Sequence, residues 1–252
     1  MSNELNGYGP TYGDYMGGSG ANLNQQHNYG GSGGTGGANG NGGAHEGVTD
    51  HTTINITSTA NYNGVMMSMC VNNLKAHEGF KNAMYKDTAG NITVGIGHMI
   101  ASADMAAAMP FTRTHTVHGH GSDMSSEVAA TKGDIVSAFN AYKQNSATPP
   151  MNMHLSNDAV VNQCISDVQT TISGLKGLYH GFDGFPNSAK TALADMGFNL
   201  GISRLTNEFP NFNNAVNNQD WNGAANESHR TGIGDSRNND TRIQLQNAAN
   251  GK

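Results

Sequence analysis

Between Leu74 and His98 the chain changes its apolar period from helical to extended within a few residues, and this run constrains the fold more tightly than any other. Met67, Cys70, Val71 and Leu74 recur at helical spacing, which predicts an amphipathic helix over about 66–78. Gly79 follows at once, and glycine closes helices because it adopts a left-handed backbone without steric cost. Ala83 to Tyr85 reads as a short strand, and Asp87-Thr-Ala-Gly90 has turn chemistry, with Asp first and Gly last. Ile92, Val94 and Ile96 then alternate with Thr93, Gly95 and Gly97, a period of two. The apolar set is expected to face a core. Thr93, Gly95 and Gly97 are expected to share the other face, where missing side chains leave room for a ligand.

The same run carries the candidate chemistry. Glu78 falls at the C-terminal end of the expected helix, where the partly negative helix end disfavours an ionised carboxylate. A carboxyl kept protonated near neutral pH is what a general acid needs. Asp87 adds a second carboxylate and Thr93 a hydroxyl. Each of the three, taken singly, is an ordinary surface residue. Two carboxylates in a small cleft are the usual equipment for cleaving a glycosidic bond.

The run resembles the active-site segment of phage-type lysozymes of the T-even kind, glycoside hydrolase family 24. That pattern is Glu-Gly, then Tyr-x-Asp-x-x-Gly, then Thr-[Ile/Val]-Gly-x-Gly-His. Here it is filled by Glu78-Gly79, Tyr85, Asp87, Gly90 and Thr93-Val94-Gly95-Ile96-Gly97-His98, with nine residues from Glu78 to Asp87 and six from Asp87 to Thr93. The resemblance implies an α+β, mostly helical fold: a two-lobed lysozyme-like domain with a small β-hairpin lobe. It implies cleavage of the β-1,4 bond between N-acetylmuramic acid and N-acetylglucosamine in peptidoglycan, with no cofactor. Glu78 would protonate the leaving oxygen, and Asp87 and Thr93 would hold the attacking water on the opposite face of the sugar, an inverting arrangement. It also implies substrate contacts from Gly97, Met99, Phe198 and Asn199, and a structural pair between His98 and Asp167.

Further stretches extend the resemblance over 66–252. Leu155-Ser-Asn-Asp leads into Val161, Cys164, Ile165, Val168, Ile172 and Leu175 at helical spacing, with Ser156 or Asn157 as N-cap. Thr191 to Gly201 resembles a central helix of the C-terminal lobe, with Leu193, Met196, Gly197 and Leu200 able to form its buried face. Phe198 is open to a second reading as plain core. Trp221, the only Trp, reads as packing for the same lobe. Cys70 and Cys164 are the only cysteines, too few to define a disulfide framework; a bridge between them and two buried thiols both remain open.

An insertion interrupts the pattern at about 100–154. It is rich in Met, Ala, Ser and Thr and reads as a polar loop, with a helical turn from Asp134 stopped by Thr148-Pro-Pro150. His115, His118 and His120 lie close together and Asp123 follows, but no cysteine is near, and no metal site is expected.

The first fifty residues behave differently. They hold 16 of the 34 glycines, and no Lys or Arg precedes Lys75. So little apolar surface does not offset the entropy of ordering, and residues 1–65 are expected to be a disordered Gly/Asn/Ser-rich segment, within which the weak alternation of His51-Thr-Thr-Ile-Asn-Ile-Thr-Ser58 reads as a short strand or a docking peptide. The net charge of −6 argues against nucleic acid as a partner. Met-Ser-Asn-Glu has no basic start and no apolar run behind it, so no signal peptide is expected, and no stretch is apolar enough to span a membrane. The expectation is a protein made in the cytoplasm that acts in the periplasm or cell wall of a target cell. The Gly-rich start resembles the translocation segments of colicin-type bacteriocins, and a muramidase of this fold arms the pesticin group. That would imply an immunity protein, a receptor and a translocator as partners. An injected effector, a phage endolysin, a glycosidase of another polymer and a non-catalytic wall-binding module on the same fold are the alternatives.

Overall fold

The structure, a computed structural model, describes residues 28–30, 52–118, 123–144 and 152–251. In chain order the strands are β1 (Asn28–Gly30), β2 (Thr53–Asn55), β3 (Lys81–Lys86), β4 (Ile92–Gly95), β5 (His98–Met99), β6 (Thr112–His118), β7 (Asp123–Ala129) and β8 (Met153–His154). The helices are α1 (Gly64–Glu78), α2 (Ala103–Ala108), α3 (Lys132–Gln144), α4 (Asn157–Leu178), α5 (Asn187–Leu200), α6 (Ile202–Glu208), α7 (Pro210–Asn217), α8 (Trp221–Glu227) and α9 (Asp235–Ala249). The chain divides into two bodies, a helical unit from residues up to Glu78 together with Ile165–Lys252, and a sheet unit from Gly79–Cys164.

The helical unit is built around α5. Its residues from Ser188 to Leu200 are almost all buried, including Leu193, Met196 and Phe198. A helix buried on every side belongs in the middle of a core, and each large apolar side chain so placed contributes about 1.5–3 kcal/mol relative to exposure. Helices α1 and α9 pack against α5, and α8 packs on α9. On α1 the buried residues Met66, Met67, Cys70, Val71 and Leu74 form the expected face. Gly79 closes the helix at φ +77°, the left-handed conformation expected of it. Trp221 is buried and meets Phe185 edge-on, with ring centroids 4.9 Å apart. Cys70 and Cys164 are buried and form no disulfide; burial pushes the Cys70 thiol up to about 12.

The sheet unit holds two antiparallel sheets of three strands each, ordered β3-β4-β5 and β7-β6-β8. Asn82 of β3 ties the first sheet to the start of α4. Its amide donates to the Leu155 carbonyl at 2.8 Å and to Asn157 Oδ1 at 2.9 Å, and its carbonyl accepts from the Leu155 N–H at 2.9 Å. Ser156 caps α4 by accepting from the Ala159 N–H at 3.1 Å, one of the two caps expected.

Three expectations are corrected. The insertion is not a plain loop: it supplies α2, the β6–β7 hairpin, the 13-residue helix α3 and β8. Thr131 and Asp134 start α3 by exchanging side-chain bonds with each other's backbone N–H, at 3.1 and 3.2 Å, which satisfies two donors that a helix start leaves bare. The Thr148-Pro-Pro150 stop lies outside the described residues. Second, the glycine-rich segment does not extend to residue 65 as unstructured chain. Strand β2 pairs with β1, Ile54 is fully buried, and Asn72 of α1 both accepts from the Ile54 N–H at 2.9 Å and donates to its carbonyl at 2.7 Å. Residues 1–27 and 31–51 lie outside the described residues. Third, β4 has no open face, since Ile92, Thr93, Val94 and Gly95 are all buried. A Cβ added at Gly95 would touch Val160 at 3.4 Å, so that glycine accommodates helix α4 rather than open space.

No described helix is long and apolar enough to cross a membrane.

Candidate active site

Glu78 ends α1, half-buried, with its side chain 24% exposed. Arg237, in the first turn of α9, donates from Nη1 to Glu78 Oε1 at 2.7 Å. Arg237 is held from behind by Asp195 of α5. Its Nε donates to Asp195 Oδ1 at 3.0 Å, while Nη2 lies 2.8 Å from the same oxygen without a hydrogen-bonding alignment. The second oxygen of Asp195 accepts from Arg230 Nη2 at 2.8 Å and from Thr241 Oγ1 at 3.2 Å. Arg230 also reaches Asn199 Oδ1 from Nη1, at 3.3 Å.

This is a buried ionic chain, with the Asp195 and Arg230 side chains 0% and 1% exposed. Burying a lone charge is costly, and pairing offsets that cost only when the geometry is good and the remaining polar positions are bonded. Burial by itself would push the Asp195 carboxyl up, but the guanidiniums of Arg237 and Arg230 outweigh it and hold it below the usual carboxylate range. Burial pulls the Arg230 guanidinium down, against the pull of Asp195. For Arg237 burial acts downward too, but Asp195 and Glu78 together raise it. His77, next to Glu78 on α1, lies 3.4 Å from Asp240 and is held below the usual imidazole range, chiefly by burial.

In the sheet unit, Asp87 opens the β3–β4 turn. Its Oδ1 accepts from the N–H groups of Ala89 at 2.9 Å and Asn91 at 2.8 Å, and its Oδ2 accepts from the Asn91 side chain at 3.1 Å. The Gly90 N–H closes the turn on the Asp87 carbonyl at 3.0 Å. A carboxylate has about four acceptor positions, so these three bonds leave room for a water. Thr93 is 4% exposed, and its hydroxyl donates to the Asn91 carbonyl at 3.4 Å. Asn91 thus touches both Asp87 and Thr93.

Of the expected substrate residues, Gly97 and Met99 are half-buried beside the β4–β5 turn, Gly97 at φ +68°. Phe198 is buried at 2%, the core position that was its second reading, and Asn199 is buried with its carbonyl oxygen taken by Arg230. His98 is buried in the sheet unit and Asp167 in the helical unit. Among the described residues no three of His, Cys, Asp or Glu gather as a metal site. His120 and the Asp123 side chain lie outside those described. Two cavities of the helical unit, about 590 and 530 Å³, are lined by other residues than Glu78.

Sequence reasoning missed Asp195, Arg230 and Arg237. One signal was present: Asp195 stands in the run Ala192-Leu-Ala-Asp-Met-Gly-Phe198, where a charge on a buried helix demands a counter-charge from elsewhere.

The phage lysozyme family profile matches residues 75–234. A Dictyostelium discoideum protein described as "Probable T4-type lysozyme 2" is 27% identical over 141 residues, covering 56% of this chain and 71% of that protein. Among solved structures, an endolysin from Escherichia coli O157:H7 phage FAHEc1 aligns with a TM-score of 0.43 and 14% identity, over 73% of this chain and 92% of that one.

Proposed function

The chain belongs to the phage lysozyme family, and from that premise we propose that it hydrolyses the β-1,4 bond between N-acetylmuramic acid and N-acetylglucosamine with inversion. Its general class follows from the family: a glycoside hydrolase acting on peptidoglycan. The observation that carries the finer reading is Glu78, a half-buried carboxyl at a helix end with one oxygen held by Arg237 at 2.7 Å. In this reading Glu78 protonates the leaving oxygen, and a positioned acid is worth about 10²–10⁴-fold in rate. Asp87, with an acceptor position to spare, and the Thr93 hydroxyl orient the attacking water. Gly97 and Met99, both partly exposed, are the favoured substrate contacts in this reading, while Phe198 and Asn199 are buried. A pairing of the buried His98 and Asp167 belongs to the same reading.

The test is digestion of purified peptidoglycan by wild type and by Glu78→Gln, with fragments identified by mass spectrometry and the new anomeric centre by NMR. Reducing muramic acid ends of inverted configuration from wild type, with a loss of about 100-fold or more in Glu78→Gln, is the expected outcome. Equal rates from the two proteins would remove Glu78 from the mechanism. Delivery to a target cell, as a bacteriocin or injected effector, is a further part of this reading. The glycine-rich start, without Lys or Arg before Lys75, supports it. External killing of a sensitive strain should then be lost on deleting residues 1–51 while wall digestion in solution persists.

A further inference from the structure

Asp195 lies outside the family's Glu-Asp-Thr pattern, yet both its oxygens are committed and its side chain is fully buried. We propose that Asp195 is a positioning residue for Glu78, acting through Arg237, with Arg230 as the counter-charge that keeps the assembly buried. The proposal rests on the glycosidase reading for its consequence, and on geometry for its mechanism. A guanidinium is planar and rigid, so fixing one edge aims the other. Asp195 fixes the Nε edge of Arg237 at 3.0 Å, and this aims Nη1 at Glu78 Oε1, 2.7 Å away. Asp195 cannot swing, because its other oxygen is held by Arg230 at 2.8 Å and by Thr241 at 3.2 Å. Thr241 Oγ1 also accepts from Arg230 Nη2 at 2.8 Å, and the Arg237 carbonyl, 3.0 Å away, is the alternative acceptor for its single proton.

The charges follow the same logic. The Asp195 carboxylate pairs with both Arg230 and Arg237 and is the anion that lets the two guanidiniums share one buried site. Without Asp195, two buried guanidiniums would repel each other and free Arg237 to turn. The consequence for chemistry is orientation. Oε1 of Glu78 is committed as an acceptor, so the transferable proton belongs on Oε2, which has no hydrogen-bond partner among the described residues.

The experiment measures kcat and KM on soluble peptidoglycan fragments for wild type, Asp195→Asn and Arg237→Lys, each normalised to folded protein. Asp195→Asn is expected to lower kcat about 10- to 100-fold with KM changed less than about threefold, as for a misaimed catalytic group. Arg237→Lys keeps the charge but loses the planar fork, and should lose kcat to a similar degree; it serves where Asp195→Asn does not fold. Wild-type kcat in either variant would overturn the proposal. A wild type that releases no reducing ends would defeat the glycosidase reading instead. The geometric claim would then be decided by a crystal structure of Asp195→Asn or, where it does not fold, Arg237→Lys. Departure of the residue 237 side chain from Glu78 supports positioning, and an unchanged contact overturns it.

Discussion

Glu78 and Asp87 are neighbours in sequence but are held in place by opposite means. Glu78 is held by Arg237, 159 residues away, and that arginine by Asp195, 42 residues from it. Asp87 is held by groups two and four residues further on. The first arrangement is a buried ionic chain that needs three helices to be packed before it exists. The second is a turn that forms as soon as the backbone bends. A buried charge network is stable only as a whole, whereas a turn carboxylate is secured by short loops with little closure entropy.

The sharpest way to break this contrast is Arg230→Met. Removing one partner of a buried ionic group leaves the other uncompensated, so a loss of about 3–5 kcal/mol is expected by urea unfolding followed by a Trp221 signal. A loss below about 1 kcal/mol would mean the chain of charges does not hold α5 and α9 together.

On the other side of the comparison, Gly90→Ala tests how local the turn is. Gly90 has φ +83°, and nothing lies within 4 Å of an added Cβ, so only backbone strain is at stake. That strain is about 1–2 kcal/mol. Hydrogen exchange should quicken in β3 and β4 and stay unchanged in α5 and α9. Quickened exchange in α9 would show the two carboxylate supports to be coupled.

The smallest effect concerns pH. His77 is held below its usual value near 6.5 by burial, so the folded protein binds fewer protons there than the unfolded chain. Its contribution is intact above about pH 6.5 and is lost as pH falls below that value. His77→Gln should flatten the decline in stability between about pH 6.5 and 5.5, read by denaturant titrations at each pH. An unchanged slope would remove His77 from the acid response.

The same division governs what could be read in the sequence. The end of α1 at Glu78, the left-handed Gly79, the Asp87–Gly90 turn and the Ser156 cap are each written in a few adjacent residues. The β6–β7 hairpin was missed for a physical reason. Most of its residues are exposed, so it carries no apolar alternation, and cross-strand polar pairs such as Thr114 with Glu127 at 2.8 Å join its strands instead. Strand β2 is written only weakly, in the alternation from His51 to Ser58, because what orders Ile54 is Asn72, 18 residues on. Phe198 was placed in a saccharide cleft by resemblance, and its burial follows from α5 being enclosed on every side.

By itself the sequence determined the family pattern, the identities and spacing of Glu78, Asp87 and Thr93, and the local geometry around Asp87 and Gly79. These depend on backbone preferences that act over a few residues. Only the tertiary structure decided which arginine faces Glu78, what holds that arginine, and which glycines serve packing rather than a ligand. Such pairings depend on helices distant in sequence meeting in a core, and the low dielectric there decides which charges must be matched.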